Sequence, residues 1–303
     1  MRIKQTFLFV FFTLLFLFYP GDSYYFHIFA YNRSAFEKKE AVNEIKVNPV
    51  PYLKSPTFYP LISAEGVYIA DLPSFTPIFE KNKDTKFLPA STAKILTALV
   101  VADLFKPEQI IKVKNIGVDG QVMGLLEGEK ITVENLLYGL LIQSGNDAAY
   151  AFSNEVGTDK FMALIKKKAD SLFMKNSNFR NPAGLDEAGQ YSTPYDMALA
   201  ARELLKNPYL SKIVSIKEIT ISDVDFRYFH KLTNVNKLLG EIAGVGGLKT
   251  GYTEAAGENL VSFYKNNGHQ FIIVILKSLD RFSDTRSVVG WIEENISYIN
   301  PKF

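Results

Sequence analysis

Apolar and polar positions along the chain follow two periods, 3.6 and 2, and the segments they mark predict helices and strands in turn. Ile95, Leu96, Leu99 and Val100 recur at helical spacing and predict a helix over 90–104. Shorter helices are expected at 134–142, 147–155 and 195–205, the last opened by Ser192 or Thr193 with Pro194 in its first turn. Strands are expected at 66–70 and 76–80, around a Leu72-Pro73-Ser74 turn. Three more follow at 247–250, 260–264 and 271–276, with Asn266-Asn267-Gly268 as the hairpin turn between the last two. A closing helix over 284–298, beginning after Ser283, carries Trp291. No internal repeat is visible. Helices that bracket hairpin-forming strands predict an α+β body: an antiparallel sheet flanked by helices, with an all-helical subregion.

The first sixty residues break this pattern. Arg2 and Lys4 precede an apolar stretch from Phe7 to Tyr19, interrupted only by Thr13 and closed by Pro20-Gly21-Asp22-Ser23. That stretch is shorter than the roughly 20 residues a membrane-crossing helix needs. A basic start, a short apolar middle and small residues behind it read as an export signal. Gly21 and Ser23 fit a cleavage site loosely, and the further apolar residues from Tyr24 to Tyr31 leave an uncleaved anchor as the alternative. Residues 32–57 mix charges with Pro49, Pro51 and Pro56 and show no sustained period, as a tether does. The division expected is therefore a signal or anchor at 1–23, a linker at 24–60 and one catalytic domain at 61–303, outside the cytoplasm and either anchored or secreted.

Composition narrows the chemistry. Lys+Arg 34 against Asp+Glu 32 leaves +2, too little to suggest nucleic acid as a partner. There is no cysteine, which excludes disulfides, thiolate metal sites and a cysteine nucleophile. With only His27, His230 and His269, a multi-histidine metal site is close to excluded as well. No metal and no organic cofactor is expected. Hydrolytic chemistry is left to Ser, Lys, Asp, Glu and Tyr.

Three triplets supply candidates. Ser91 and Lys94, at the start of the first helix, are three residues apart and emerge on nearly one face. A serine hydroxyl needs something to remove its proton, and a desolvated lysine qualifies. By itself the pair reads more readily as a capping serine beside a solvated lysine. Ser144-Gly145-Asn146 falls between two helices, either as an ordinary Asx-capped loop or as a proton shuttle with an amide for a substrate carbonyl. Lys249-Thr250-Gly251 lies on a strand behind Gly244, Gly246 and Gly247. It is either a glycine-rich edge or a cation and hydroxyl beside a carboxylate, with Gly251 letting a substrate backbone come close. In this order, and on a helix start, an inter-helix loop and a strand, the three form the signature set of enzymes that acylate a serine.

The chain resembles the low-molecular-weight penicillin-binding proteins that act as serine-type D-alanyl-D-alanine carboxypeptidases, from about Gly66 to Trp291. The likeness extends to 87–98, 140–149, Asn181-Pro182-Ala183-Gly184-Leu185-Asp186, 191–196, Gly247 to Thr253 with Ala256-Gly257, and Arg281-Phe282-Ser283-Asp284. It implies a β-lactamase/transpeptidase-like fold and a peptidoglycan stem peptide as substrate. It implies that Ser91 attacks the penultimate D-alanine carbonyl, Lys94 takes the proton, and Ser144 and Asn146 relay the proton and hold the substrate amide. Lys249, Thr250 and Arg281 would bind the terminal carboxylate, the Ser91 and Tyr252 amides would form an oxyanion hole, and β-lactams would inhibit as mimics. Two positions depart from the family: Val235 stands where many members carry Arg, and Tyr252 where many carry His. Many members also add a C-terminal β-rich domain and a membrane-binding helix, so a tether here is expected from the N-terminal segment. A class A-like β-lactamase is disfavoured because no Glu-x-x-Leu-Asn stretch lies between Asn146 and Lys249. An endopeptidase would share every motif, and a non-catalytic wall-binding protein would not need all the reactive side chains.

Overall fold

The computed structural model describes residues 2–18, 49–55, 59–115 and 117–299. The chain divides into two compact units, Met1–Val47 and Asn48–Phe303. In the first, α1 (Arg2–Leu17) exposes its apolar side chains from Phe7 to Leu17. No helix among the described residues is long and apolar enough to cross a membrane. The expected cleavage segment at 20–23 and most of the expected linker lie outside the described residues.

The second unit begins with strands β1 (Val50–Leu53), β2 (Gly66–Leu72) and β3 (Pro77–Lys81), then a 3-10 turn (Ala90–Ala93) running into α2 (Lys94–Leu104). Strands β4 (Ile110–Lys112) and β5 (Lys130–Thr132) frame a long loop. Helices α3 (Val133–Leu141), α4 (Asn146–Val156), α5 (Thr158–Ser171), α6 (Pro194–Lys206) and α7 (Pro208–Val214) follow. The chain ends in β6 (Glu218–Ser222), β7 (Phe229–Thr233), β8 (Val245–Thr253), β9 (Gly257–Asn266), β10 (His269–Ser278), α8 (Arg281–Asn295) and β11 (Ile296–Ile299).

Five strands form one antiparallel sheet in the order β3-β2-β10-β9-β8, which leaves β8 on an edge. Val67, Ile69, Leu260, Ile273 and Ile275 meet Val288, Val289, Trp291 and Ile292 of α8 on one face. On the other, Tyr68, Ala70, Val261, Ile272 and Val274 meet Ile95, Leu96, Leu99 and Met197 of the helical region. Covered on both faces, β10 reads as an unbroken apolar run from Phe271 to Leu276 rather than an alternating one. The β9–β10 turn has positive φ at both Asn267 (48°) and Gly268 (82°), the pair a two-residue hairpin turn requires. Thr193, not Ser192, caps α6, accepting the Asp196 amide, with Pro194 following it.

Three expectations are corrected. The closing helix starts at Arg281, because the Asp280 side chain accepts the amides of Phe282 and Ser283, and Ser283 lies inside it. That helix ends at Asn295, and β11 then pairs antiparallel with β1. Residues 50–53, expected as linker, are therefore a strand of the folded unit. Pro51 is tolerated there because a two-stranded ribbon has outward edges that need no N–H. Finally, the expected helix over 90–104 opens as a 3-10 turn, with Ala90 at φ 47°. In that geometry residues three apart eclipse one another, which stacks Lys94 over Ser91 more closely than an α-turn would.

Candidate active site

Lys94, at the junction of the 3-10 turn and α2, is wholly buried, and its Nζ has three partners. Ser91 Oγ lies at 2.8 Å, Asn146 Oδ1 at 2.7 Å and the Ala183 carbonyl at 2.7 Å. The orientation of the Asn146 amide is fixed from behind, since its Nδ2 donates to the Asp119 carbonyl at 2.6 Å. Burial pushes the Lys94 ammonium down to about 7, against the opposing pull of the Asp147 carboxylate. A neutral amine has two N–H bonds and one lone pair. The two carbonyl oxygens can only accept, so they take both N–H bonds. The lone pair is left for the Ser91 hydroxyl.

The Ala183 carbonyl is aimed by a turn. Asn181 Oδ1 accepts the amides of Gly184 and Leu185, and Thr97 Oγ1 donates to the Pro182 carbonyl. Gly184 sits at φ 82°, and a Cβ there would stand 2.0 Å from the Ala90 oxygen, so only glycine lets this turn press against the nucleophile segment.

Ser144 lies in the α3–α4 loop at φ 63°, buried, and is not among the hydrogen-bond partners of Lys94. Lys249 and Thr250 on β8 are buried, and Lys249 Nζ donates to the Thr250 carbonyl at 2.9 Å. Burial first, then the charges of Lys94 and Arg281, push the Lys249 ammonium well below its ordinary range. Arg281 Nη1 donates to the Gly251 carbonyl at 3.0 Å, and its buried Nε has no partner among the described residues. Lys249 is thus within reach of two other basic groups, a setting in which an incoming anion is favoured. The Tyr252 side chain is 61% exposed at the end of β8.

Gly251 also has a close neighbour within the protein. A Cβ there would stand 3.0 Å from both Ala90 Cβ and Ser91 N, and 3.1 Å from the Pro89 oxygen. The glycine lets β8 approach the nucleophile turn, a contact internal to the protein. Asn259 on β9, absent from the sequence reading, ties the same two parts together. Its Nδ2 donates to the carbonyls of Leu88 and Pro89, and its Oδ1 accepts the Lys277 amide. The signal for it was a buried-strand position filled by an amide, directly ahead of Leu260 and Val261. Asp147 was also missed. Its carboxylate accepts the amides of Met123, Gly124, Leu125 and Ala148. Among the described residues, no group of three or more His, Asp or Glu is placed to hold a metal ion.

The fold and this constellation define a class. The chain superposes on the Streptomyces K15 DD-transpeptidase with a TM-score of 0.73 at 28% identity, over 77% of this chain and 98% of that one. It superposes on the D-alanyl-D-alanine carboxypeptidase DacD of Francisella tularensis with a TM-score of 0.72 at 27% identity, over 79% and 73%. The fold is that of the DD-peptidases and transpeptidases. Residues 54–279 match the D-alanyl-D-alanine carboxypeptidase family of peptidases, and the chain belongs to that family. It is 34% identical over 207 residues to the D-alanyl-D-alanine carboxypeptidase DacF of Bacillus subtilis, covering 65% of this chain and 53% of the relative. It is 32% identical over 252 residues to DacC of Escherichia coli, covering 77% and 62%. The chain thus spans between half and two thirds of the length of these relatives.

Proposed function

We propose that the protein is a serine-type D-alanyl-D-alanine carboxypeptidase that removes the terminal D-alanine from peptidoglycan stem peptides. The observation that carries this reading is the buried Lys94 Nζ, 2.8 Å from Ser91 Oγ and held there by the Asn146 and Ala183 carbonyls. Lys94 takes the hydroxyl proton as Ser91 Oγ attacks the penultimate D-alanine carbonyl. The tetrahedral oxyanion is met by the backbone N–H groups of Ser91 and Tyr252. Collapse expels D-alanine, whose nitrogen receives the proton through Lys94 and Ser144, and water then hydrolyses the ester. Asn146 holds the substrate amide as well as Lys94. The carboxylate of the leaving D-alanine sits against Lys249, Thr250 and Arg281. β-Lactams enter the same site and acylate Ser91. The protein works outside the cytoplasm, with 1–23 as signal or membrane tether, a linker from 24 leading into the catalytic unit ahead of the strand at Val50, and no cofactor.

The test is D-alanine release from a peptide ending in Lys-D-Ala-D-Ala, by the full chain and by Ser91→Ala. Release by the parent alone supports the assignment. Release by both removes Ser91 as nucleophile, and silence from a folded parent removes the carboxypeptidase reading.

A further inference from the structure

Away from the candidate site, three exposed aromatic side chains fall within four residues, at the turn joining β6 to β7. Phe226 is 72% exposed, Phe229 65% and Tyr228 41%. Among the described residues, none of these rings meets another ring, and the Tyr228 hydroxyl has no hydrogen-bond partner. A single apolar residue on a surface needs no account, but three grouped on one projecting turn mark a contact surface.

The turn is built to hold the rings outward. Asp223 is buried at its base. Its Oδ1 accepts the amides of Arg227 at 2.7 Å and Tyr228 at 2.9 Å, and its Oδ2 that of Asp225 at 3.3 Å. The Asp223 amide donates to the Tyr228 carbonyl, and the Phe226 amide to the Asp223 carbonyl. Phe226 stands at φ 54°, a left-handed conformation that a bulky side chain rarely adopts. The Val224 amide fastens the turn to the body, donating to the Lys130 carbonyl of β5 at 2.8 Å. Rings presented on so fixed a backbone have less ordering left to lose on binding.

The charges around the rings are mainly basic. Arg227 lies between Phe226 and Tyr228, and Lys231 shares the outward face of β7 with Phe229. Lys130 stands directly across from Lys112 where the turn is fastened. All four are exposed. Asp225, 3.8 Å from Arg227, is the acid at the tip, and Asp223 is spent on the turn's own amides. Aromatic rings settle at the headgroup level of a bilayer, and basic side chains are drawn to anionic headgroups. A neutral sugar would use the rings and leave the cations idle. A lipid surface is also the partner that the same chain addresses through α1, with its exposed apolar side chains from Phe7 to Leu17.

We propose that the β6–β7 turn is a docking surface for an anionic lipid bilayer, with Phe226, Tyr228 and Phe229 in the interface and Arg227, Lys130 and Lys231 against the headgroups. From this turn β7 runs to Thr233, whose amide donates to Gln143 Oε1 beside Ser144. Four residues of strand cover about 14 Å, so docking would fix how far the Ser144 side of the candidate site stands from the membrane. The docking itself does not depend on the serine-acylation reading and should survive in Ser91→Ala.

The test uses the full chain and a reporter at the turn, since α1 alone would bring any variant to a vesicle. The chain's one tryptophan, Trp291, is buried, so a second one can be read against it. Phe229→Trp is mixed with vesicles of phosphatidylglycerol and phosphatidylcholine brominated on its acyl chains. Phe173→Trp, at a ring also 72% exposed but just beyond α5, serves as the control. The Phe229→Trp emission should move to shorter wavelength and be largely quenched, and the control should show neither change. Adding Arg227→Gln should lower the ratio of docked to undocked turn about fivefold, the worth of one cation near an anionic surface. Equal quenching at both positions, or none at Phe229→Trp, overturns the proposal. So does undiminished quenching on vesicles of phosphatidylcholine alone. A shift produced without lipid, by peptidoglycan fragments or by raising the protein concentration, overturns it in favour of a glycan or a second copy of the chain. If Phe229→Trp does not fold, Phe226→Trp decides the matter by the same readout.

Discussion

Acidifying the solution should switch the site off at Lys94. With that amine pulled to about 7 by burial, half of it is neutral at that pH. Each pH unit below costs a factor of ten in the base, so by about pH 5 only about one molecule in a hundred carries the lone pair that Ser91 needs. The second-order rate of acylation by a β-lactam should fall accordingly, with unit slope and a midpoint near 7. Stopped-flow mixing measures it directly, with Ser91→Ala as the blank and near-ultraviolet dichroism confirming that the chain stays folded. Lys94→Arg should abolish acylation at every pH, because guanidinium keeps its proton. Stability should follow the same group. Between about 7 and 10.5 the unfolded chain holds a proton that the folded chain has lost. Stability therefore rises with pH across that window. A rate that stays flat from acid to neutral, or a midpoint near the ordinary lysine value, would refute the assignment of Lys94 as base.

Gly251→Ala places a Cβ 3.0 Å from Ser91 N and Ala90 Cβ, so the turn and β8 must part by tenths of an ångström. Acylation should drop by about tenfold or more while urea unfolding shows a loss of about 1–2 kcal/mol; parent-like acylation would show that the close approach is dispensable. Lys249→Met removes a buried cation whose proton folding disfavours, so the thermal midpoint at neutral pH should not fall although peptide turnover is lost. A large drop in midpoint would make Lys249 structural. Asp284→Ala strips four donors from a buried carboxylate, namely the amides of Ser63 and Ala64 and the hydroxyls of Ser63 and Ser278. Urea titration should show a loss of about 3 kcal/mol, and a loss below half of that would mean water replaces the carboxylate.

How much of this was legible depends on which residues carried the signal. Ser91, Lys94 and Asn146 stood in short motifs on recognisable elements, and the structure does bring them within hydrogen-bonding distance. The sandwiched strands announced themselves as apolar runs. What escaped was either short or held from afar. The four-residue β1 has no period of its own, and β11, its pairing partner, lies more than two hundred positions away. The helix α5 hid behind Lys166, Lys167 and Lys168, although Phe161, Ile165 and Ala169 recur every four residues on its buried side. The roles of Asp147, Asn181 and Asn259 escaped for another reason. Each works by accepting or donating to backbone atoms, and a partner that is only a carbonyl or an amide leaves no mark in a sequence.

Those backbone contacts also bear on why two buried lysines in one site need not compete for the same duty. Only Lys94 touches Ser91 Oγ, whereas the hydrogen bond of Lys249 goes to the Thr250 carbonyl. The positive charge of Lys94 is one of the causes that lower Lys249. When Lys94 gives up its proton, that pressure on Lys249 disappears and its ammonium is easier to keep. The pair therefore titrates as a unit. Burial and the charges of Lys94 and Arg281 oppose the Lys249 proton, and a carboxylate arriving beside Arg281 would offset that cost. Base and anion site are thus separated by place: Lys94 Nζ stands at the Ser91 hydroxyl, and Lys249 Nζ at the strand carbonyl of Thr250, where an incoming anion relieves the cost of a buried charge.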